Sequence, residues 1–320
     1  MLYPLRFQPI FRRYVWGGRR LKDLLGKETG TDETCAESWE IVDHGQDQSV
    51  VLAGALAGST LHDIVAEQGK ELFGRHHPQS RFPLLLKFLD SQTNLSVQVH
   101  PDDGQAARLD PPDLGKTEAW IILHADPEAR VYAGLKPGVR REELAQAIAA
   151  GTTEACLHSF HPAIGDCVFL PAGTVHALGA GILMAEIQQS SDTTFRLFDW
   201  NRVDKDGNSR PLHVDEALEL IDFEAGAVAP RIPQPLSPTA NRLVGCDKFV
   251  LDRYEIDART VLPDQQSCRL LAVLSVSVTV ARDPSGQELR MGQTVLLPAC
   301  LGEVTIDTSA DATMLVISLP

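Results

Sequence analysis

The segment GDCVFLPAGTVH (residues 165–176) spaces its landmark residues as Gly165, Pro171, Gly173 and His176. Near the end of the chain GQTVLLPACLGE (292–303) repeats the frame with Gly292, Pro298, Cys300 and Glu303. Each copy reads as an apolar strand, a tight proline-containing turn, and a second strand whose first inward residue ends the motif. The first copy ends in histidine and the second does not. The repeat points to two related β-barrels, of which only the first keeps a metal-capable side chain at this position.

The rest of the chain agrees with a mainly β reading. Short apolar runs between Gly, Pro and Asp turns predict strands in ESWEIVDH (37–44), FPLLLKFLD (82–90), LSVQVHP (95–101), EAWIILHA (118–125), ILMAEIQQ (182–189) and TTFRLFDW (193–200). Beyond about residue 240 only strand patterns remain. Helical spacing is confined to 60–74, with Thr60 as N-cap and Asp63 three residues on, to 141–151, closed by Gly151, and to 213–223. The Pro- and Ala-rich stretch 225–241 reads as a linker, which divides the chain into a catalytic region 1–228 and a second barrel 229–320.

A formal charge of −14 and a pI near 5.1 argue against a nucleic-acid or anionic-membrane partner. Six cysteines without CxxC spacing form neither a disulfide framework nor a thiolate zinc site. No run approaches a membrane span and no leader is read, so a cytoplasmic protein is expected, as monomer or weak homodimer.

Candidate chemistry sits on LSVQVHPDD (95–103). Successive strand side chains point to opposite faces, so Ser96, Gln98 and His100 share one face, and Leu95, Val97 and Val99 the other. Glu118, at the start of an apolar strand, and His176 are the natural companions. Two imidazoles, one carboxylate and one amide oxygen converging in a barrel can bind Zn²⁺ or Fe²⁺ with a position left for substrate. Taken singly, each residue reads at least as well as structural or solvated. Lys87, Lys116 and Arg196 lie in or beside apolar strands of an acidic protein, which suggests a pocket for an anionic substrate.

These motifs, with YVWGG (14–18), GKTEAW (115–120), PAGTVHALGAGILMAEIQQSSDTTFRLFDWNR (171–202) and LHVDEAL (212–218), resemble the type I mannose-6-phosphate isomerases, zinc enzymes of the cupin superfamily. The resemblance spans much of the first 215 residues and is similar to the shorter bacterial branch. It implies two cupin-type (RmlC-like jelly-roll) barrels with a small helical part on the first, and one Zn²⁺ held by Gln98, His100, Glu118 and His176. Lys116 and Arg196 match active-site positions. Lys87 and Ser96 match positions near the substrate, where they would bind its phosphate. One departure is Ala180, where a general cupin motif expects asparagine. The second barrel lacks the ligand set and is expected to be structural.

The implied reaction interconverts mannose 6-phosphate and fructose 6-phosphate by proton transfer through an enediol. Glu186 and Lys116 are candidate bases, and Glu186 reads equally as a support for Arg196. Two alternatives stand beside this reading: an iron cupin dioxygenase using His100, Glu118 and His176, and a non-catalytic sugar-binding cupin.

Overall fold

The computed structural model describes residues 2–30, 34–203 and 207–320. In the first half the barrel strands are β1 (Ile10–Arg12), β2 (Glu37–Ile41), β3 (Leu84–Ser91), β4 (Val97–Val99), β5 (Glu118–Ala125), β6 (Val131–Leu135), β7 (Leu157–Phe160), β8 (Cys167–Leu170), β9 (His176–Leu178), β10 (Ile182–Gln189) and β11 (Phe195–Phe198). The second half adds β12 (Gln234–Ser237), β13 (Ala240–Gly245), β14 (Val250–Ile256), β15 (Thr260–Leu262), β16 (Arg269–Val273), β17 (Ser277–Val280), β18 (Leu289–Arg290), β19 (Thr294–Leu297), β20 (Val304–Asp307) and β21 (Ala312–Ser318).

These strands make the same pair of sheets twice. The first large sheet has the order β8-β5-β10-β3-β2-β1, and the second β19-β16-β21-β14-β13-β12. Facing them are β7-β6-β9-β4-β11 and β18-β17-β20-β15. Among the barrel strands, from β1 and β12 onward each has a counterpart in unchanged chain order, with β11 as the single addition. The frame seen in the sequence is therefore a structural repeat: β8 and β19 each begin two residues after a glycine with positive φ, Gly165 (90°) and Gly292 (79°). Both then lead from the edge of a large sheet into the interior of the facing one.

The two copies differ at the turn. Gly173, at φ 85°, lets the chain enter β9 with His176 as its first residue. In the second copy Cys300 stands there, a short 3₁₀ turn Ala299–Leu301 forms, and the positive φ passes to Gly302. Glu303 is consequently exposed and β20 starts at Val304, so the expected inward residue is not Glu303.

The three expected helices form as α1 (Leu61–Phe73), α2 (Arg141–Ala149) and α3 (Val214–Leu220). Thr60 and Asp63 cap α1 reciprocally: the Asp63 N–H donates to Thr60 Oγ1 at 3.1 Å, and the Thr60 N–H to Asp63 Oδ2 at 3.0 Å. Helices α2 and α3 lay Leu144, Ala217 and Leu218 over Val97, Val99, Ala177 and Leu197, on the outer face of the five-stranded sheet. The period-2 pattern of β4 thereby sends its valines outward to the helices and Gln98 inward.

In the first barrel the strands β1, β6 and β7 were not expected. Gly134 at φ 78° interrupts the pattern of β6, whose register against β7 shifts between Tyr132 and Leu135. The stretch 225–241 is not a free linker. The Val228 N–H donates to Ala133 O (3.1 Å), the Arg231 N–H to Cys167 O (2.7 Å), and Gln234–Ser237 is an edge strand, the place where a sheet tolerates proline.

The two large sheets pack back to back. Leu86, Phe88, Ala119, Ile121, Ala185 and Ile187 meet Leu251, Leu270, Leu315 and Ile317 in one continuous core. The chain's start also crosses over, with Leu5 bridging Leu296. The division that we propose after residue 228 thus marks a change of barrel and not a break in packing.

Candidate active site

Alternation along three adjacent strands of the large sheet sends one set of side chains to the shared core and the other into the first barrel. On β5 these are Ala119 and Ile121 against Glu118 and Trp120; on β10, Ala185 and Ile187 against Glu186; on β3, Leu86 and Phe88 against Lys87. The facing sheet contributes Gln98, His176 and Arg196. Gln98 pairs with His176 across β4–β9 and with Arg196 across β4–β11, so the three stand side by side. The result is a cavity of about 330 Å³ lined mostly by polar groups.

At its base His100, Glu118 and His176 are all buried, with one ligand atom from each lying within 4.8 Å of the others. His100 Nδ1 lies 2.9 Å from Thr193 O, and His176 Nδ1 lies 2.9 Å from Thr174 O. Those backbone acceptors hold the proton on Nδ1 and leave both Nε2 lone pairs facing Glu118, at 3.6 and 3.2 Å. Burial first, then the Lys116 charge, holds the His100 pKa well below its ordinary value, and burial brings His176 down to about 4. Both imidazoles are therefore neutral at neutral pH, the form that can hold a metal.

Glu118 is the orphan of the set. Among the described residues both its buried oxygens lack a hydrogen-bond partner, although Lys116 Nζ lies at ion-pair distance, 3.1 Å from Oε2 and 3.0 Å from His100 Nε2. A buried, unsatisfied carboxylate between two oriented imidazoles fits a divalent metal, because a cation supplies what the carboxylate lacks. The Gln98 amide lies 3.3 Å from His176 Nε2. The oxygen and nitrogen ends of an amide are nearly isosteric, so a half-turn would bring its oxygen to the same place.

Farther out, Lys87 is clamped between Glu186 (3.3 Å) and Glu37 (3.6 Å), with the Glu186 carboxylate also 3.8 Å from Lys116. Burial outweighs these cations and raises the Glu186 pKa. For Lys87 the surrounding carboxylates outweigh burial and raise its pKa, so it stays charged. Glu186 thus faces Lys87, its cross-strand neighbour, and Lys116; among the described residues no ion pair joins it to Arg196, so the expected support of that arginine is not seen. The Arg196 guanidinium donates to Pro211 O at 3.1 Å, while its buried Nε has no hydrogen-bond partner among the described residues.

Every expected site residue, Ser96 included, lines or floors this one cavity. Sequence reading missed Tyr14, Trp16, Glu37, Trp120, Asp192, Thr194 and Arg210. Glu37 carried a signal, being an acid at the head of the strand pattern ESWEI, which the fold buries throughout. Arg210 carried none, since it arrives from an irregular loop. At residue 180, where a general cupin motif expects asparagine, the Ala180 N–H donates to Asn94 Oδ1 at 2.8 Å.

In the second barrel the place of Glu118 is taken by a buried arginine. Glu118 pairs with Leu170 and Gln188, and Arg269 pairs with the corresponding Leu297 and Ser318. Its guanidinium donates to Pro263 O and Gly302 O, both at 2.6 Å. A side-chain cation thus takes that one position in a barrel whose interior is otherwise apolar.

Residues 4–117 match the family model described as phosphomannose isomerase type I, catalytic domain. The mannose-6-phosphate isomerase ManA of Bacillus subtilis (strain 168) is 34% identical over 96% of this chain and 97% of its own. The mannose-6-phosphate isomerase of Streptococcus mutans is 36% identical over 93% of each. The crystal structure of the mannose 6-phosphate isomerase from Bacillus subtilis superposes with a TM-score of 0.89 at 30% identity, covering 99% of both chains. With this fold, this cavity and these relatives, the chain belongs to the type I phosphomannose isomerases, enzymes of the cupin fold.

Proposed function

We propose that the enzyme interconverts mannose 6-phosphate and fructose 6-phosphate, with one Zn²⁺ held by His100, Glu118, His176 and Gln98. The observation that carries the metal is Glu118, a buried carboxylate with unsatisfied oxygens between two Nε2 atoms. When bound, the ion would act as a Lewis acid on the substrate's C1 and C2 oxygens, an effect worth several kcal/mol.

The side chains of the cavity account for the rest. Isomerisation moves a proton between C1 and C2 and develops negative charge on the oxygens of an enediol. Glu186 serves as the base: among the described residues its buried Oε1 has no hydrogen-bond partner, and burial raises its pKa above the ordinary carboxylate value. Lys116 sits between Glu118 and Glu186, where its ammonium steadies charge on either side of the reacting carbons. Arg196, one strand from Gln98, faces the outer oxygens. Lys87 and Ser96 bind substrate on the wall between them, and Trp16 and Trp120 exclude water. Two lysine ammoniums in the cavity favour this reading over an iron dioxygenase, which keeps open metal positions for O₂.

A coupled assay for fructose 6-phosphate formed from mannose 6-phosphate, run with and without chelator, tests the proposal. Chelator-sensitive turnover abolished by Glu118→Gln is expected. Stoichiometric iron with O₂ uptake, or tight sugar-phosphate binding without turnover, would overturn it.

A further inference from the structure

The segment between His100 and Glu118 leaves the first barrel after Pro101, makes one helical turn at Asp103–Ala106, and returns with Lys116. One carboxylate closes this loop at its neck. Asp103 Oδ1 accepts from the Gly115 N–H at 2.9 Å and from Gln189 Nε2 at 2.8 Å, and Gln189 Oε1 accepts from the Thr117 N–H at 3.1 Å. The residues on both sides of Lys116 are thus tied to the start of the loop, and the Lys116 N–H itself donates to Pro101 O at 3.0 Å. Gly115 has no room for a side chain, since a Cβ there would stand 2.6 Å from the Asp103 nitrogen. A neck packed this closely passes a displacement of Asp103 on to Lys116.

The other oxygen of Asp103 belongs to the second barrel. Lys248, in the turn between β13 and β14, places its Nζ 2.7 Å from Asp103 Oδ2 and 2.7 Å from Asp247 Oδ2. Among the described residues this is the one ion pair between the segment 101–117 and the second barrel. Burial acts to raise the Asp103 pKa, but bonds from Lys248, Gln189 and the Gly115 N–H outweigh it and hold the carboxylate below its ordinary value. The Lys248 and Asp103 side chains are 26% and 44% exposed, and a pair so open to water adds little stability; what it fixes is geometry. We propose that Lys248 positions Lys116 for the reaction: by holding Asp103 it fixes the neck of the loop, and with it the Lys116 ammonium between Glu118 and Glu186. This rests on the isomerase reading above, in which Lys116 steadies charge at the reacting carbons. The second barrel, which holds Arg269 where the first has Glu118, thereby supplies a positioning residue to its neighbour.

Lys248→Ala, Lys248→Gln and Lys248→Arg in the full chain test this, with mannose 6-phosphate as substrate. A misplaced charge at the reacting carbons costs rate and leaves substrate binding, so kcat should fall about 3- to 30-fold in Lys248→Ala. KM stays within about twofold, bound metal measured by elemental analysis is unchanged, and Tm falls by less than about 2 °C. Lys248→Arg keeps the charge and should recover most of the lost rate. Asp103→Asn should reproduce the loss, and adding Lys248→Ala to it should lower kcat no further, because both act through one bond. Lys248→Gln carries the test should Lys248→Ala fold poorly. A kcat changed less than about threefold in an otherwise active enzyme would overturn the positioning role and leave the isomerase reading intact. Fully additive losses, or metal lost together with rate, would overturn it too, by placing the effect elsewhere. Absence of turnover in the wild type would overturn the functional reading and this assignment with it.

Discussion

Replacing Asp113 by alanine should weaken both the fold and the metal centre. Its carboxylate accepts from Arg81 Nη2 (2.9 Å), Ser191 Oγ (2.7 Å) and Thr193 Oγ1 (3.0 Å), and lies 3.3 Å from His44 Nε2. Burial alone would raise its pKa, but hydrogen bonds from His44, Ser191, the Leu114 N–H and Arg81 prevail and hold it well below the carboxylate range. A hydrogen bond to a charged group is worth about 1.5–3 kcal/mol, and bonds that share one acceptor do not add. We expect a loss of about 3 kcal/mol at neutral pH, or a Tm lower by about 6 °C at roughly 2 °C per kcal/mol for a chain of this size. The same carboxylate pins Thr193, whose carbonyl orients His100. Loss of such an outer contact costs about 10- to 100-fold in metal affinity. Thermal melts and the chelator concentration that halves activity measure the two effects.

The sign of the pH dependence follows from the same pair. The depressed pKa of Asp113 contributes stability above about pH 4, lost as pH falls through its folded value. The His44 pKa is raised, chiefly by its hydrogen bond to Asp113, and its contribution is complete below about pH 6.5 and lost as pH rises through its folded value. The stability gap between wild type and Asp113→Asn should therefore peak between about pH 4 and 6.5. A Tm for Asp113→Ala within about 1 °C of wild type, with unchanged chelator resistance, would refute the reasoning.

Three further outcomes follow. Glu186→Gln should lower kcat by about 10²- to 10⁴-fold while bound metal, measured by elemental analysis, stays at wild-type level; metal loss in this variant would mean that Glu186 serves the metal and not the proton. Arg269→Ala empties a fully buried cation site and leaves the Pro263 and Gly302 carbonyls unsatisfied, at a cost of about 3–5 kcal/mol in urea unfolding; a loss under about 1 kcal/mol would show that the arginine is dispensable there. Phe88→Ala opens the core shared by the two large sheets and should cost about 3–5 kcal/mol without splitting the transition; two separate transitions in the wild type would refute the shared core.

Much of this protein was legible from local pattern. Period-2 alternation divided β4, β5 and β10 into core and cavity faces, and the Thr60–Asp63 cap started α1 where the sequence placed it. The repeated turn located His176 and its counterpart strand, because glycine at positive φ and proline punctuate a chain within a few residues. Where the turn residue differed, at Cys300, local reasoning failed by one position, since a 3₁₀ turn replaced the glycine step.

What the sequence determined by itself was therefore which face each side chain takes and which residue types can hold a metal or steady an anion. The tertiary structure alone decided their company. It placed Glu37 and Glu186 on either side of Lys87, rested His100 on a carbonyl tethered to Asp113, set Arg269 where Glu118 would stand, and brought Arg210 to the mouth beside Arg196. Backbone geometry over a few residues sets the direction of a side chain. Partnership depends on contacts between residues far apart in the chain, which only the packing of complete sheets can bring together.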